Sequence, residues 1–468
     1  MLKNFLWAFL EKGGQFFIQF LSVVILSRFL SPEEYGIYGI MAIFIAISEL
    51  LIDSGFGGAL VQKKDVKQID INTLFVSNLF ISLVLYLILF FAAPYIAIYY
   101  IIPKLSLYIR VLGITIMFYS LTIVHITLLQ KELKFKKSAN ITVISTSLSV
   151  LFAVLIAYFG GGIWALIFQP LLMSVFMAGI LWSIERRNIS IQFSRASFNE
   201  LWSFGSKLLA ANLLNTIYYN FTTSVIPKIS SVRNSGFYFQ ASRLNTIPTS
   251  MLQTTIDKAA FPVLSKESCS ENVLNKAIKL NLVINSFTYF LFPFLSLFAV
   301  EIIYIILGKQ WCEAANFLSI LAWGGWGFMY QVLSRNIFKS VGDTKTILRV
   351  DMLKTLLGLV VLGLSTLWGV MFLIWGITLS MFFGAFIYMY ELHHKLKYNI
   401  LRQLKEIAKP LISSVLTYIS LYPVVSCLEN EWYNIFIVFP FVFIYVIINI
   451  LMKNECVILL IKKLNKDE

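Results

Sequence analysis

The sequence predicts an all-α polytopic membrane protein of about fourteen transmembrane helices, and three observations carry that prediction. The 468-residue chain is 58% hydrophobic and only 13% charged, whereas a soluble domain carries about 25% charged residues. Its apolar runs recur at a length of about 20 residues, which as helix spans a bilayer. Lysine and arginine crowd into every second gap between those runs, the pattern of short cytoplasmic loops. The gaps Lys63–Lys67, Lys131–Lys137, Arg186–Arg195, Lys266–Lys279, Arg335–Arg349 and Lys395–Lys409, with the tail from Lys453, hold 26 of the 38 cationic residues. The intervening gaps hold Arg28, Lys104, Arg110, Lys228, Arg233 and Lys309. Both termini are therefore expected in the cytoplasm, and the number of spans is expected to be even. The first run contains Glu11 and Lys12 and no small-residue cleavage site, so it reads as a retained signal anchor.

In chain order the spans are expected over 5–30, 35–60, 72–100, 105–129, 139–160, 162–184, 201–227, 237–264, 281–307, 314–338, 347–368, 369–390, 408–428 and 434–452. The eighth is the most polar, diluted by Gln240, Arg243, Asn245, Ser250, Gln253, Asp257 and Lys258. It is kept because, without it, every later basic loop would invert. Gly160-Gly161-Gly162 and Trp368-Gly369 read as tight outer turns, since glycine permits the backbone reversal.

Two halves resemble each other at an offset near 200. Leu6-Trp7 answers Leu201-Trp202, Gly36-Ile37-Tyr38 answers Gly236-Phe237-Tyr238, and Pro94 answers Pro293. Six helices per copy is an even number, so the copies share one orientation and form a parallel repeat. The expected organisation is a six-helix bundle over 1–184, a cytoplasmic linker over 185–200 and a second bundle over 201–390. A cytoplasmic loop over 391–407, two additional helices over 408–452 and a cytoplasmic tail over 453–468 complete it. Two bundles that rock about a central site are what a transporter needs.

Charges at membrane depth cost about 2.5–3.5 kcal/mol each on insertion scales, so they mark a wet cavity or a partner. Gln240, Arg243, Ser250, Thr254 and Asp257 share one helical face of span eight. Lys12, Gln15, Gln19 and Ser22 do so in span one, Glu49 and Asp53 in span two, and Lys207, Asn215 and Tyr219 line span seven. These stripes are expected to line a common cavity. The alternatives are pairing of Arg243 with Asp53 or Glu49, pairing of Asp257 with Lys258, and snorkelling of Lys12 and Lys207. Arg28 lies near the outer end of span one, at a cavity or at the interface. Lys354 and Asp351 read as lying one turn from cytoplasmic water, and His125 as a packing residue.

Several function classes are excluded. The net charge of +14 sits in short one-sided loops, which anionic lipid explains without a nucleic acid. The four cysteines have no metal-ligand spacing, and a Cys312–Cys427 disulfide is one option. No phosphate-binding glycine loop, nucleophile elbow or metal motif occurs, so no cofactor and no enzymatic activity are expected.

The segment Ser27-Arg28-Phe29-Leu30-Ser31-Pro32-Glu33-Glu34-Tyr35-Gly36-Ile37-Tyr38 resembles the "ARxLGPxxYGxY" pattern of polysaccharide exporters in the multidrug/oligosaccharidyl-lipid/polysaccharide flippase superfamily, with Ser27 and Ser31 departing from it. Asp53-Ser54-Gly55-Phe56-Gly57-Gly58-Ala59-Leu60 resembles that group's "D-x-G-x-x-x-A-L" end to span two. The resemblance implies a Wzx-type flippase of the bacterial inner membrane. Such proteins move undecaprenyl-diphosphate-linked oligosaccharides to the outer leaflet for O-antigen, capsule or exopolysaccharide. It implies a diphosphate site at Arg243, Arg28, Lys12 and Lys207, with acidic coupling residues at Asp53, Glu49 and Asp257. Gln15, Gln19, Asn215, Tyr219 and Gln240 are candidates for sugar contact, beside Asn212 and Tyr218. The implied partners are the polyprenyl-diphosphate-linked glycan, the lipid bilayer, a glycan polymerase and a chain-length regulator. The last two helices are expected to guide the prenyl tail. A multidrug cation exporter is the first alternative, but its site needs carboxylates in excess, and here nearby bases match them. A membrane-embedded glycan polymerase is the second, but its large outer loop is missing.

Overall fold

The structure, a computed structural model, describes residues 2–53, 55–63, 65–185, 187–264, 270–427 and 437–452. Most of these residues are helical, and there is no strand among them. The order is α1 (Leu2–Phe29), α2 (Pro32–Asp53), α3 (Phe56–Gln62), α4 (Gln68–Tyr100), α5 (Leu105–Lys131), α6 (Phe135–Tyr158), α7 (Trp164–Ile184) and α8 (Arg195–Ile229). Then come α9 (Val232–Leu264), α10 (Ser270–Leu297), α11 (Ala299–Ile306), α12 (Ala314–Ser340), α13 (Thr344–Ser365), α14 (Val370–Leu396), α15 (Ile400–Cys427) and α16 (Val438–Leu451). Eight helical stretches among the described residues are long and apolar enough to cross a membrane. The protein is therefore an all-α polytopic membrane protein. In such a protein every backbone polar group must be satisfied within its own helix.

The polar α9 shows how that requirement is met. The hydroxyls of Thr246, Thr249, Ser250, Thr254 and Thr255 donate to carbonyls three or four residues back on the same helix. Their polarity is satisfied locally, and the helix runs unbroken through Leu264. The glycine turns form as expected, with positive φ at Gly160, Gly162 and Gly369.

Two expected spans are broken. The second stops at Asp53 and restarts as α3. Gly55 there adopts φ +69°, and a Cβ on it would lie 2.7 Å from the Gly205 carbonyl oxygen. Only glycine satisfies both the left-handed backbone and the close approach of α8. The Asp53 carboxylate accepts the Gly57 backbone N–H, capping α3. The Lys131 ammonium donates to the Leu60 and Val61 carbonyls at the other end of α3. The ninth span leaves helical geometry at Phe298 (φ −96°, ψ 23°), separating α10 from α11.

The chain divides into two compact units, Met1–Phe239 and Gln240–Glu468, and the division falls inside α9. In the first unit α4 packs on α5, α6 on both α1 and α7, and α2 on α5 and α8. Ile40, Ile52, Ala93, Leu105, Ile116 and Ile167 form part of its core. The segment after α7 lies along the start of α4. Gln68 donates to the Asn188 carbonyl at 2.6 Å, Asn72 to Ser190 Oγ at 2.6 Å, and the Ser194 amide to Thr73 at 3.1 Å. Arg187 grips Glu132 through two bonds of 2.6 and 3.0 Å and also meets Glu185 at 3.0 Å. That guanidinium holds the Glu132 carboxyl down at about 2.

The offset of 200 is visible inside this unit. α1 ends at Phe29 and α8 at Ile229; α2 begins at Pro32 and α9 at Val232. Ser31 Oγ accepts the Glu34 amide, as Ser231 Oγ accepts that of Asn234. A Cβ on Gly36 would overlap the Val232 carbonyl, and one on Gly236 the Pro32 carbonyl. These contacts are reciprocal, so a local two-fold axis passes between the two glycines. Equivalent positions face each other there, and Glu33 and Arg233 carry opposite charges 3.6 Å apart.

In the second unit α12 packs on α10 and α14, and α15 lies on α10 and α16. Trp326, Tyr330, Phe292, Phe338 and Tyr388 dominate its core. α15 and α16 close on α10 through Phe290, Phe294, Phe298 and Phe441, and Tyr445 donates to the Ser286 carbonyl at 2.7 Å.

Candidate functional site

In the first unit, Gln15 and Gln19 are half-buried on α1, and Arg28 is exposed at its end. Ser22, next on the same stripe, is buried and accepts a 2.9 Å hydrogen bond from Gln169 of α7. The stripe therefore turns into the unit at that depth. Glu49 and Asp53 are one helical turn apart on α2, and Tyr119 of α5 lies within electrostatic reach of both. Asp53 also has the capping role described above, so α3 depends on it whatever else it binds. On α8, Asn215 is half-buried, Asn212 is exposed, and Tyr219 is 51% exposed with its ring 5.4 Å from that of Tyr218. Exposed amides and tyrosine faces suit sugar hydroxyls and ring faces.

In the second unit, Gln240 is fully buried, and its amide has no hydrogen-bond partner among the described residues. An amide in that state carries a desolvation cost, about 1–3 kcal/mol, that a ligand or rearrangement would recover. Arg243 is half-buried and makes no ion pair within this unit among the described residues. Asp257 accepts the Asn336 amide of α12 at 2.6 Å. Its partner is thus a side chain that sequence spacing could not nominate.

The side chains of Lys12, Lys207, Lys258 and Cys427, together with residues 265–269 and 453–468, lie outside the described residues. Cys312 is half-buried, and its pairing with Cys427 falls outside the described side chains. His125 is fully buried with its ring 4.9 Å from Trp182, the packing position expected of it. No group of three potential metal ligands occurs among the described residues.

Two features escaped the sequence reading. Lys354 is only 12% exposed and is held by Gln331 of α12 as well as by Asp351. Gln403, at the start of α15, is fully buried and binds Tyr330, the Met389 carbonyl and the Tyr398 carbonyl. The Lys354–Asp351 pair is local, three residues apart, but the contacts of Lys354 with Gln331 and of Gln403 with Tyr330 have no local signal, because each reaches a helix distant in sequence.

Comparison with known proteins gives a consistent picture. A family model described as "Polysaccharide biosynthesis protein" matches residues 25–316. The succinoglycan biosynthesis transport protein ExoT of Rhizobium meliloti (strain 1021) is 27% identical over 68% of this chain and 65% of its own. The teichuronic acid biosynthesis protein TuaB of Bacillus subtilis (strain 168) is 24% identical over 65% of this chain and 64% of its own. The matches thus span just under two thirds of these relatives' lengths. Among solved structures, a lipid II flippase, MurJ, in an inward closed conformation superposes with a TM-score of 0.79. It covers 98% of this chain and 100% of its own at 14% identity. That superposition establishes a common fold.

Proposed function

Because this chain belongs to the polysaccharide biosynthesis protein family, we propose that it is a flippase for polyprenyl-diphosphate-linked oligosaccharides. It carries them from the inner to the outer leaflet of the bacterial cytoplasmic membrane. The observation that supports this most directly is the shared fold with a lipid II flippase over nearly the whole chain. Relatives named for succinoglycan transport and teichuronic acid biosynthesis agree with a surface-glycan pathway.

The chemistry requires such a protein. A diphosphate cannot cross hydrocarbon unaided, since burying an unpaired charge costs far more than burying sugar hydroxyls. Guanidinium and ammonium groups must meet it on the way. On this reading Arg243, Arg28, Lys12 and Lys207 bind the diphosphate. Glu49, Asp53 and Asp257 respond to its passage, and Gln15, Gln19, Asn215, Tyr219 and Gln240 contact sugars. Transport proceeds by alternating access through a cationic cavity, with fourteen crossings and both termini cytoplasmic. The prenyl tail stays in lipid throughout.

The test is deletion in the native host. A lipid-linked glycan should accumulate in the inner leaflet, and the wild-type gene should clear it. Unchanged lipid-linked glycan and unchanged surface polysaccharide in the deletion strain would sink the flippase reading.

A further inference from the structure

Two prolines break the helical hydrogen bonding near one end of the first unit. Pro94 lies inside α4, about 9 Å from the helix end at Tyr100. Having no N–H, it leaves the Phe90 carbonyl, four residues back, without its helical donor. Arg110 of α5 supplies one. Its Nε donates to the Phe90 carbonyl at 3.2 Å, and its guanidinium lies 4.3 Å from the centre of the Phe90 ring. Gly113, one turn further along α5, admits this close approach, since a Cβ there would lie 3.2 Å from the Tyr86 ring.

Pro227 acts likewise in α8. It frees the Thr223 carbonyl, and Ser235 Oγ of α9 donates to that oxygen at 3.3 Å. The two helix ends are fastened together. The Tyr100 hydroxyl donates to the Ser224 carbonyl at 2.9 Å, and the Lys228 ammonium lies 4.2 Å from the centre of the Tyr99 ring. Residues 95–100 therefore form an arm anchored on α8 and joined to the rest of α4 at a turn that lacks one backbone bond. Within a membrane no water replaces that bond, so a side chain must. Helices bend sharply at proline. A backbone N–H has a fixed reach, but the rotatable arginine side chain keeps its acceptor while that bend changes.

We propose that Arg110 is a positioning residue for transport: it sustains the α4 bend at Pro94, about which residues 95–100 move together with the proline turn of α8. Its charge serves the helix and is not a ligand of the diphosphate. The bond itself is independent of the flippase reading; only the purpose of the motion rests on it.

The experiment is a double-mutant cycle. Melting temperature is measured on the purified full-length protein in lipid nanodiscs, and surface-glycan production in the deletion strain at matched membrane abundance. Arg110→Met strands the Phe90 carbonyl and should lower the melting temperature by about 2 °C or more. Pro94→Ala restores the backbone N–H, so Pro94→Ala/Arg110→Met should melt no lower than Pro94→Ala. Arg110→Lys should keep most of the export, because an ammonium still donates. Pro94→Ala should cut export about tenfold although Arg110 is intact, since the hinge is gone. An Arg110 that bound the diphosphate would leave Pro94→Ala active. Equal melting losses from Arg110→Met in both backgrounds overturn the role of Arg110, and wild-type export by Pro94→Ala overturns the hinge. If Arg110→Met alone is lost from the membrane, Pro94→Ala must recover it, and failure to recover it also overturns the role. A deletion strain with unchanged surface polysaccharide sinks the flippase reading, and the coupling of Arg110 to Pro94 is then judged by melting alone.

Discussion

At the scale of single residues, Arg243 carries the sharpest functional prediction. It is half-buried in a helix whose threonine and serine hydroxyls bond their own backbone. If it binds the diphosphate, Arg243→Ala should cut surface-glycan production by about tenfold or more at normal membrane abundance, matching the loss of a charge-assisted hydrogen bond. Arg243→Lys should retain part of the activity, keeping charge but losing bidentate geometry. Wild-type export by a well-expressed Arg243→Ala protein would remove it from the site. A second residue-scale prediction concerns pH. The Glu132 carboxyl is held at about 2 by Arg187, below its unfolded value. Its stabilisation is fully present above the unfolded carboxyl range and is lost as pH falls toward 2. Arg187→Gln should therefore melt below wild type at neutral pH, and the gap should close between about pH 4.5 and 2. A gap independent of pH would show that Arg187 acts through packing.

At the scale of elements, the crossing of α2 and α9 and the seating of α15 both depend on contacts with no slack. Gly36 and Gly236 each meet the other helix's backbone carbonyl, and backbone cannot swing aside as a side chain can. Gly36→Ala and Gly236→Ala should each destabilise the protein by about 1–3 kcal/mol, read as lowered melting temperature. Unchanged melting of both would mean the crossing is looser than described. The two additional C-terminal helices begin in α15, whose first turns reach into the second unit. Gln403 binds Tyr330 of α12, and Glu406 binds Tyr398 and Asn281 of α10. A chain ending near Lys397 would strand those buried groups, at about 1–3 kcal/mol each. Such a truncation should be lost from the membrane rather than inserted and silent. A stable, abundant truncated protein would show that the preceding helices stand without those contacts.

At the scale of the whole molecule, the alternation of basic loops predicts N-in, C-in topology with fourteen crossings. Single cysteines near Lys136 and Arg402 should be labelled from the cytoplasm alone, and those near Lys104 and Lys309 from outside alone. Cytoplasmic labelling at Lys309 would break the parity on which the count of spans rests. The eight stretches apolar enough to be recognised by composition do not by themselves supply that count. Fourteen crossings also require α1 and α16, whose apolar stretches are shorter, and the more polar α8, α9, α12 and α13. Their buried amides, hydroxyls and ion pairs, such as those of Asp257 with Asn336 and Arg335 with Asp351, are what would let them do so.

The sequence by itself determined the helical class, the position of nearly every helix, the glycine turns and the offset of 200 between Gly36 and Gly236. These follow from local composition and periodicity, and a helix satisfies its own backbone without help from elsewhere. The two motifs that carried the family resemblance were legible for the same reason. Ser31 and Glu34 cap each other within one turn, and Asp53 and Gly55 restart a helix within three residues. Only the tertiary structure decided which polar side chains meet. It gave Asp257 to Asn336, turned Ser22 toward Gln169, buried Gln240 and set Lys354 against Gln331. A helical face can be read from spacing of 3.6 residues, but the surface it packs against belongs to a helix that can lie a hundred residues away. Burial and charge balance are sums over both.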